Sequence, residues 1–219
     1  MEGHPFRDPP SRQLPSTQIK ASGSRVTKFL AIGAFASVWN VICGVMFAGT
    51  LSSSDTFFTI FLSIFLIVGA VLIGVAIHAF LAIFNPTIEL HVTTALPALG
   101  ETLDVRWHVV GNASRIEELR IDLVGLESAT YRRGTDTTTE THEFARFQLA
   151  HTADWFEIAD GAGSVVISAG AVPSFTGRNN KIIWEIRIAG VILRWPDLAD
   201  QFRLEVVANK QHRKHCEAA

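Results

Sequence analysis

PSFTGRNNKIIWEIRIAGVILRWPD, from Pro173 to Asp197, is the stretch on which the fold turns. Ile182, Trp184, Ile186 and Ile188 alternate with Glu185 and Arg187, the period of a strand with one buried and one wet face. A polar turn from Gly177 to Asn180 opens the strand, and Trp195-Pro196-Asp197 closes it at a corner. Asn179 and Asn180 suit a turn with left-handed backbone, Pro196 fixes the corner, and Asp197 is placed to accept from backbone amides two residues on. Trp184 shares a face with the isoleucines and reads as a core anchor, because an indole buries so much area. Every residue of the stretch then has a structural task, and none requires catalysis.

The same period recurs upstream and downstream. Ile88, Leu90 and Val92 alternate with Glu89, His91 and Thr93. Leu103 to Val109, Leu119 to Leu123, Ala145 to Leu149, Val165 to Ile167 and Phe202 to Val206 repeat the pattern. Turn signals separate these segments, among them Pro97 to Gly100, Gly111-Asn112 and Asp160-Gly161. Seven half-apolar segments with no long helix between them predict two antiparallel sheets packed face to face. A closed barrel is the alternative.

"PSFTGRNNKIIWEIRI" followed by "RWPD" resembles the arrestin-like β-sandwich proteins, in particular their small bacterial relatives. Ser174, Phe175, Asn180, Trp184, Trp195, Pro196 and Asp197 carry the likeness. "LPALGETLDVRW" and "ATYRRGTDTTTE" are similar to a strand and a long polar hairpin of that family. The resemblance covers roughly residues 87–208. It implies an arrestin-like, immunoglobulin-like antiparallel sandwich of about seven strands and a tendency to serve as a binding module. Arrestins have two lobes and this chain has room for one, so their phosphate-sensing core between lobes does not carry over.

The amino-terminal part differs in kind. No residue from Phe29 to Leu51 or from Thr56 to Asn85 is charged, and Asp55 is the only charged residue between Lys28 and Glu89. Both runs exceed the roughly 20 apolar residues that cross a bilayer core as a helix. The short Ser52 to Asp55 link predicts an antiparallel hairpin with Ser54 or Asp55 capping its second helix. The expected organisation is a mobile leader (1–25), a transmembrane hairpin (26–85, helices about 29–51 and 56–84), the sandwich (86–208) and a basic tail (209–219). Arg7, Arg12, Lys20, Arg25 and Lys28 precede the hairpin, and its loop has no Lys or Arg. The positive-inside rule then places both termini in the cytoplasm, with the chain integral to the inner (plasma) membrane. Cys43 and Cys216 form no disulfide framework.

Chemistry is sparse. His142 and His151 lack the spacing of a metal site, and no phosphate loop or nucleophile elbow is present. No catalytic, metal or cofactor site is expected. A net charge of −2 argues against a nucleic-acid partner. The best candidate for recognition is the polar hairpin, where Arg132, Arg133, Thr135 and Asp136 could grip a carboxylate or phosphate. The tail "KQHRKHCEAA" is suited to anionic lipid. Within the helices, Gly33, Ser37 and Gly44 on the first and Ala70 and Gly74 on the second form small faces, suited first to packing the hairpin and second to a partner's helix. Asn40 needs a hydrogen-bond partner there. The resulting expectation is a non-enzymatic membrane-anchored scaffold that presents its sandwich to a protein partner. The alternative is an accessory subunit whose main contacts are made by the hairpin.

Overall fold

A computed structural model describes residues 17–53 and 56–208. Most of the leader, the expected cap at Ser54 or Asp55 and the basic tail from residue 209 lie outside the described residues. Helices α1 (Arg25–Ser53) and α2 (Thr56–Ala82) form the hairpin. At the end of α2 the carbonyls of Phe80, Leu81 and Ala82 accept from Ile83, Phe84 and Asn85 at 3.1, 3.1 and 3.3 Å. This tighter turn stops the helix just ahead of Pro86, as sequence alone implied.

The seam between the helices is not the expected one. Ala36, Cys43 and Thr50 of α1, with Leu62 and Gly69 of α2, are the hairpin's buried residues among those described. Asn40 donates its amide to the carbonyls of Ala36 at 2.8 Å and Gly69 at 3.2 Å, and the Trp39 indole donates to Phe65 O at 3.2 Å. A Cβ on Gly69 would overlap the Asn40 amide, so the glycine makes room for that bond. Ser37, by contrast, is exposed and bonds back to Gly33 O at 2.8 Å. Ala70 and Gly74 are exposed, and Gly44 and Gly74 have open space where a Cβ would stand. A polar amide among apolar side chains must find a carbonyl, and that requirement, rather than the small-residue stripe, sets the register.

Among the described residues nine strands form, seven that follow the alternation of the sequence and two short ones. Sheet one has the order β1 (Thr17–Ile19), β2 (Thr87–Val92), β3 (Thr102–Val110), β6 (Asp160–Val166). Sheet two has the order β5 (Asp136–Thr152), β4 (Glu118–Arg133), β8 (Asn180–Val191), with β7 (Phe175–Thr176) and β9 (Leu198–Leu204) sharing the far side of β8. All strand pairings are antiparallel. Leu90, Leu103, Val105 and Trp107 from sheet one meet Leu119, Ile121, Leu123, Trp184, Ile186 and Phe202 from sheet two in one core. The one-step alternation forced this outcome, because a slip of one residue would turn each apolar set outward.

Strand β1 corrects the reading of a mobile leader to residue 25. Thr17 pairs with Val92 and Ile19 with Leu90, and Ile19 packs against the core. The chain then touches β9, with Ser22 N donating to Gln201 O at 2.6 Å, and enters α1. Three residues are too few to show alternation, so the available edge of β2 decided the structure.

Hairpin and sandwich meet at a polar junction. Arg25 donates to Asn85 O at 3.0 Å, Pro86 O at 3.1 Å and the Asp200 carboxylate at 2.7 Å. The Asn85 amide, itself buried, donates to Pro196 O at 2.9 Å and Asp197 O at 3.2 Å. One guanidinium thus ties the start of α1 to the end of α2 and both to β9.

A close approach in sheet one tests the packing. The Trp107 indole lies over Gly161 to donate to Glu157 O at 2.9 Å, and a Cβ at Gly161 would overlap the ring and come 2.6 Å from that carbonyl. Overpacking of this kind costs about 1–3 kcal/mol. Gly161→Ala in the detergent-solubilised full chain is expected to lower the thermal midpoint of the near-UV signal by several degrees. Gly170→Ala, where a Cβ would stand 3.9 Å from Ser168 Oγ, an ordinary contact, is expected to leave it unchanged.

Candidate functional site

Strands β4 and β5 run far beyond the sandwich. The ladder between β4 and β8 ends at Ala129, and past it β5 alone accompanies β4 to Arg133. Asp136 pairs with Arg133 across the two-residue link Gly134-Thr135, and Gly134 has φ +68. Positive φ at the first position of such a link matches the strand twist and favours glycine. Among the described side chains from Ser128 to Thr141, none is fully buried. Cross-strand pairs hold the ribbon instead. The Thr130 and Thr139 hydroxyls lie 2.9 Å apart, and the Tyr131 hydroxyl donates to the Glu140 carboxylate, a bond that raises the tyrosine pKa.

The recognition residues named from sequence sit at the ribbon's tip. Arg132, Thr135 and Asp136 are exposed there, and Arg133 lies opposite Asp136 in the ladder. They are close because the turn joins them, not because distant segments converge. The ribbon's outer edge, β5, pairs only with β4 among the described strands. It carries Thr137, Thr138, Thr139, Glu140, Thr141 and His142 in succession, and charged or polar edges of this kind resist indiscriminate strand pairing.

At the root of the ribbon, on the outer face of sheet two, lies a constellation that sequence reading missed. Asp122 accepts from Arg120 at 2.9 Å and Arg146 at 2.7 Å. Arg146 grips Glu143 through both carboxylate oxygens at 2.7 Å, Glu143 stands 3.5 Å from Arg187, and Arg187 reaches Glu185 at 2.6 Å. Three carboxylates and three guanidiniums from β4, β5 and β8 thus alternate in one chain of contacts. Asp122 and Glu185 are buried, and Asp122 Oδ1 has no protein partner. The Arg146 hydrogen bond, together with the nearby charges of Arg146, Arg187 and His142, holds the Glu143 pKa below its ordinary 4.5. Asp122 and Glu185 occupy polar positions of alternating strands, where sequence predicts solvated side chains. Arg120 and Arg187 stand two residues from Asp122 and Glu185 on the same strands, and the register of β5, β4 and β8 adds Arg146 over Asp122 and Glu143 beside Arg187.

The signature residues of the opening stretch have structural partners, with some changes. Trp184 is fully buried, donates to Val172 O at 2.9 Å, and packs with Phe144 and Phe147. Ser174 exchanges bonds with Val206 through its amide at 2.8 Å and its hydroxyl at 2.9 Å. Phe175 is exposed and lines a groove with Ile182, Ile183 and Leu204. Asn180 begins β8, and neither it nor Asn179 is left-handed. The positive φ, +56, belongs to Arg194 at the other end of the strand. Asp197 accepts from the amide of Ile192, five residues back, rather than from amides ahead of it. Trp195 lies under the Arg115 guanidinium, 4.6 Å from the ring centroid. Pro196 is buried, as a fixed corner requires.

No protein-family model matches the chain, and no curated protein matches it in sequence. Among solved structures it is similar to the crystal structure of Spo0M, a sporulation control protein from Bacillus subtilis. The two are 15% identical with a TM-score of 0.43, over 61% of this chain and 54% of that one. The matched region therefore spans about half the length of that protein.

The ion chain has a signed pH consequence. A carboxylate with a lowered folded pKa adds stability above its unfolded pKa and loses it as pH falls through the folded value. Acidification from pH 5 should therefore remove the contribution of Glu143, and thermal melts of Arg146→Ala should show a shallower loss over that range than the wild type. Removing the buried acceptor, Asp122→Ala, is expected to cost about 1.5–3 kcal/mol in chemical denaturation, the usual scale for hydrogen bonds to charged groups.

Proposed function

We propose that the chain is a non-enzymatic scaffold anchored in the plasma membrane. The α1–α2 hairpin crosses the bilayer, both termini lie in the cytoplasm, and an arrestin-like sandwich binds a protein partner. The observation that carries this reading is the β4–β5 ribbon. It extends past the core, none of its described side chains is fully buried, and the edge of β5 away from β4 is unpaired among the described strands. An edge of this kind can accept a strand from a partner, with backbone hydrogen bonds giving affinity and neighbouring side chains giving selectivity. Arg132 and Asp136 beside the turn supply that selectivity, one of each sign. The ion chain at the root is balanced, with Asp122, Glu143 and Glu185 against Arg120, Arg146 and Arg187. Carboxylates bridged in this way hold strands together and are poorly placed to move protons, which supports a role without catalysis.

Anchoring rests on the helices. Each is long and apolar enough to span a membrane, and only 11% of the most apolar window of each is buried within the chain. The basic residues before α1 and their absence from the loop support the cytoplasmic placement. One observation favours the accessory-subunit alternative: Gly44 and Gly74 face open space and are not consumed by the hairpin seam, which leaves them for another helix.

Photo-crosslinking in native membranes separates the two. With a photoreactive residue at Thr138, a scaffold gives discrete protein adducts that are lost when Arg132→Glu and Asp136→Lys are combined. Adducts from Gly44 or Ala70 with none from Thr138 would favour the accessory subunit and contradict the scaffold.

A further inference from the structure

The end of the sandwich nearest the hairpin carries an apolar and aromatic surface that no described residue covers. Strand β3 runs toward that end, where Val110 pairs with Thr87, the first strand residue after α2. Its neighbour β6 starts there too, since Asp160 pairs with His108 and His108 with Glu89. Thr87 and Glu89 are two residues apart, so β6 begins within roughly 7 Å of the level at which the chain leaves the hairpin. The short helix α3 (Trp155–Ala159) immediately precedes it and touches the 3-10 turn Ala113–Arg115. Ile158 of α3 points into the core at 0% exposure, which leaves Trp155 and Phe156 outside at 55% and 66%. Their ring centroids are 3.8 Å apart. The turn between β8 and β9 lies at the same end, held to Asn85 through Pro196 and Asp197, and its Leu193 is 65% exposed.

We infer that Trp155, Phe156 and Leu193 insert into the headgroup region of the bilayer and seat the sandwich against the membrane. The inference rests on the proposed crossing of the hairpin. The Trp155 indole favours the boundary between headgroups and hydrocarbon, where its apolar body and its N–H are both satisfied, and Phe156 and Leu193 add apolar area that the same boundary accepts. The helices supply the geometry: their bases are pinned to this end by Arg25 and Asn85, so a bilayer around them meets this end of the sandwich first. Charge does not drive the contact. Lys28, Arg115 and Arg194 are offset there by Glu117, Asp154 and Glu157, so neutral lipid suffices. The same docking turns the β4–β5 ribbon away from the membrane, because β4 starts at this end and its tip lies some fifteen residues along the strand.

The test uses the full chain in phosphatidylcholine vesicles, with Cys43→Ala and Cys216→Ser as background. Single cysteines replace Trp155, Phe156, Leu193, Thr135 and Val71 in turn and carry an environment-sensitive fluorophore. Lipids spin-labelled at the headgroup or deep in the chains act as quenchers. The expected result is a blue shift and headgroup-level quenching at 155, 156 and 193, deep quenching at 71, and water-like emission at 135. Combining Trp155→Ser and Phe156→Ser should return the probe at 193 to a water-like signal while 71 stays deep. Water-like probes at 155, 156 and 193 with 71 still deep would overturn the docking and leave the hairpin standing. A probe at 71 that no lipid quenches would overturn both. Docking seen only in vesicles with phosphatidylserine would overturn the neutral, apolar form proposed.

Discussion

Two helices whose apolar side chains find little cover among the described residues set the terms for everything else. Phe35, Val45, Ile60, Ile67 and Val71 are each more than half exposed, although burial of such a side chain is worth about 1.5–3 kcal/mol. The helices satisfy their own backbone groups, as only helices and closed barrels do in hydrocarbon. The seam between them satisfies the one amide that hydrocarbon would penalise, that of Asn40. Under the proposed membrane crossing, the cost of exposure disappears and the Asn40 bonds gain value, because no water competes for them.

Rigid attachment converts an anchor into an orientation. Arg25 has a side chain only 22% exposed and bonds the end of α2 and Asp200 of β9 together. Asn85 fixes the β8–β9 turn with its amide. Partly buried charge-assisted bonds of this kind are stronger than surface ion pairs, which long flexible side chains and solvent screening weaken. The sandwich is thus held by the end at which β4 begins. The other end of β4 is the ribbon, and the sheet between them is braced on its outside by the Asp122 ion chain. One set of polar contacts near the helices accordingly determines where the open β5 edge is presented.

The sequence exposes some of this well and some of it poorly, for physical reasons. Strands with one buried face were readable because each apolar residue at alternate positions is fixed by the core, as from Leu103 to Val109 and from Trp184 to Ile188. Thr17–Ile19 was hidden because a three-residue edge strand has no periodicity to show. The ribbon was legible only through the resemblance of its polar hairpin, because Thr137, Thr138 and Thr139 carry no alternation that a buried face would impose. Asp122 looked solvated, since a single strand cannot reveal that a neighbour will lay Arg146 over it. The helix seam went astray because small residues signal that close approach is possible, whereas Asn40 and its need for the Gly69 carbonyl select where it happens. The tip residues Arg132, Thr135 and Asp136 were legible as a cluster because sequence neighbours across a tight turn stay neighbours in space.

The most direct measurement is cysteine accessibility in intact cells, with a membrane-impermeant maleimide and the Cys43→Ala, Cys216→Ser background. Thr56→Cys, at the start of α2, reports the hairpin loop, and Thr135→Cys reports the ribbon. A hairpin that crosses the membrane with the sandwich inside gives labelling at 56 in intact cells and at 135 only after lysis. Labelling at neither position before lysis, with the chain released from membranes by alkaline carbonate, would contradict the crossing and the presentation that depends on it.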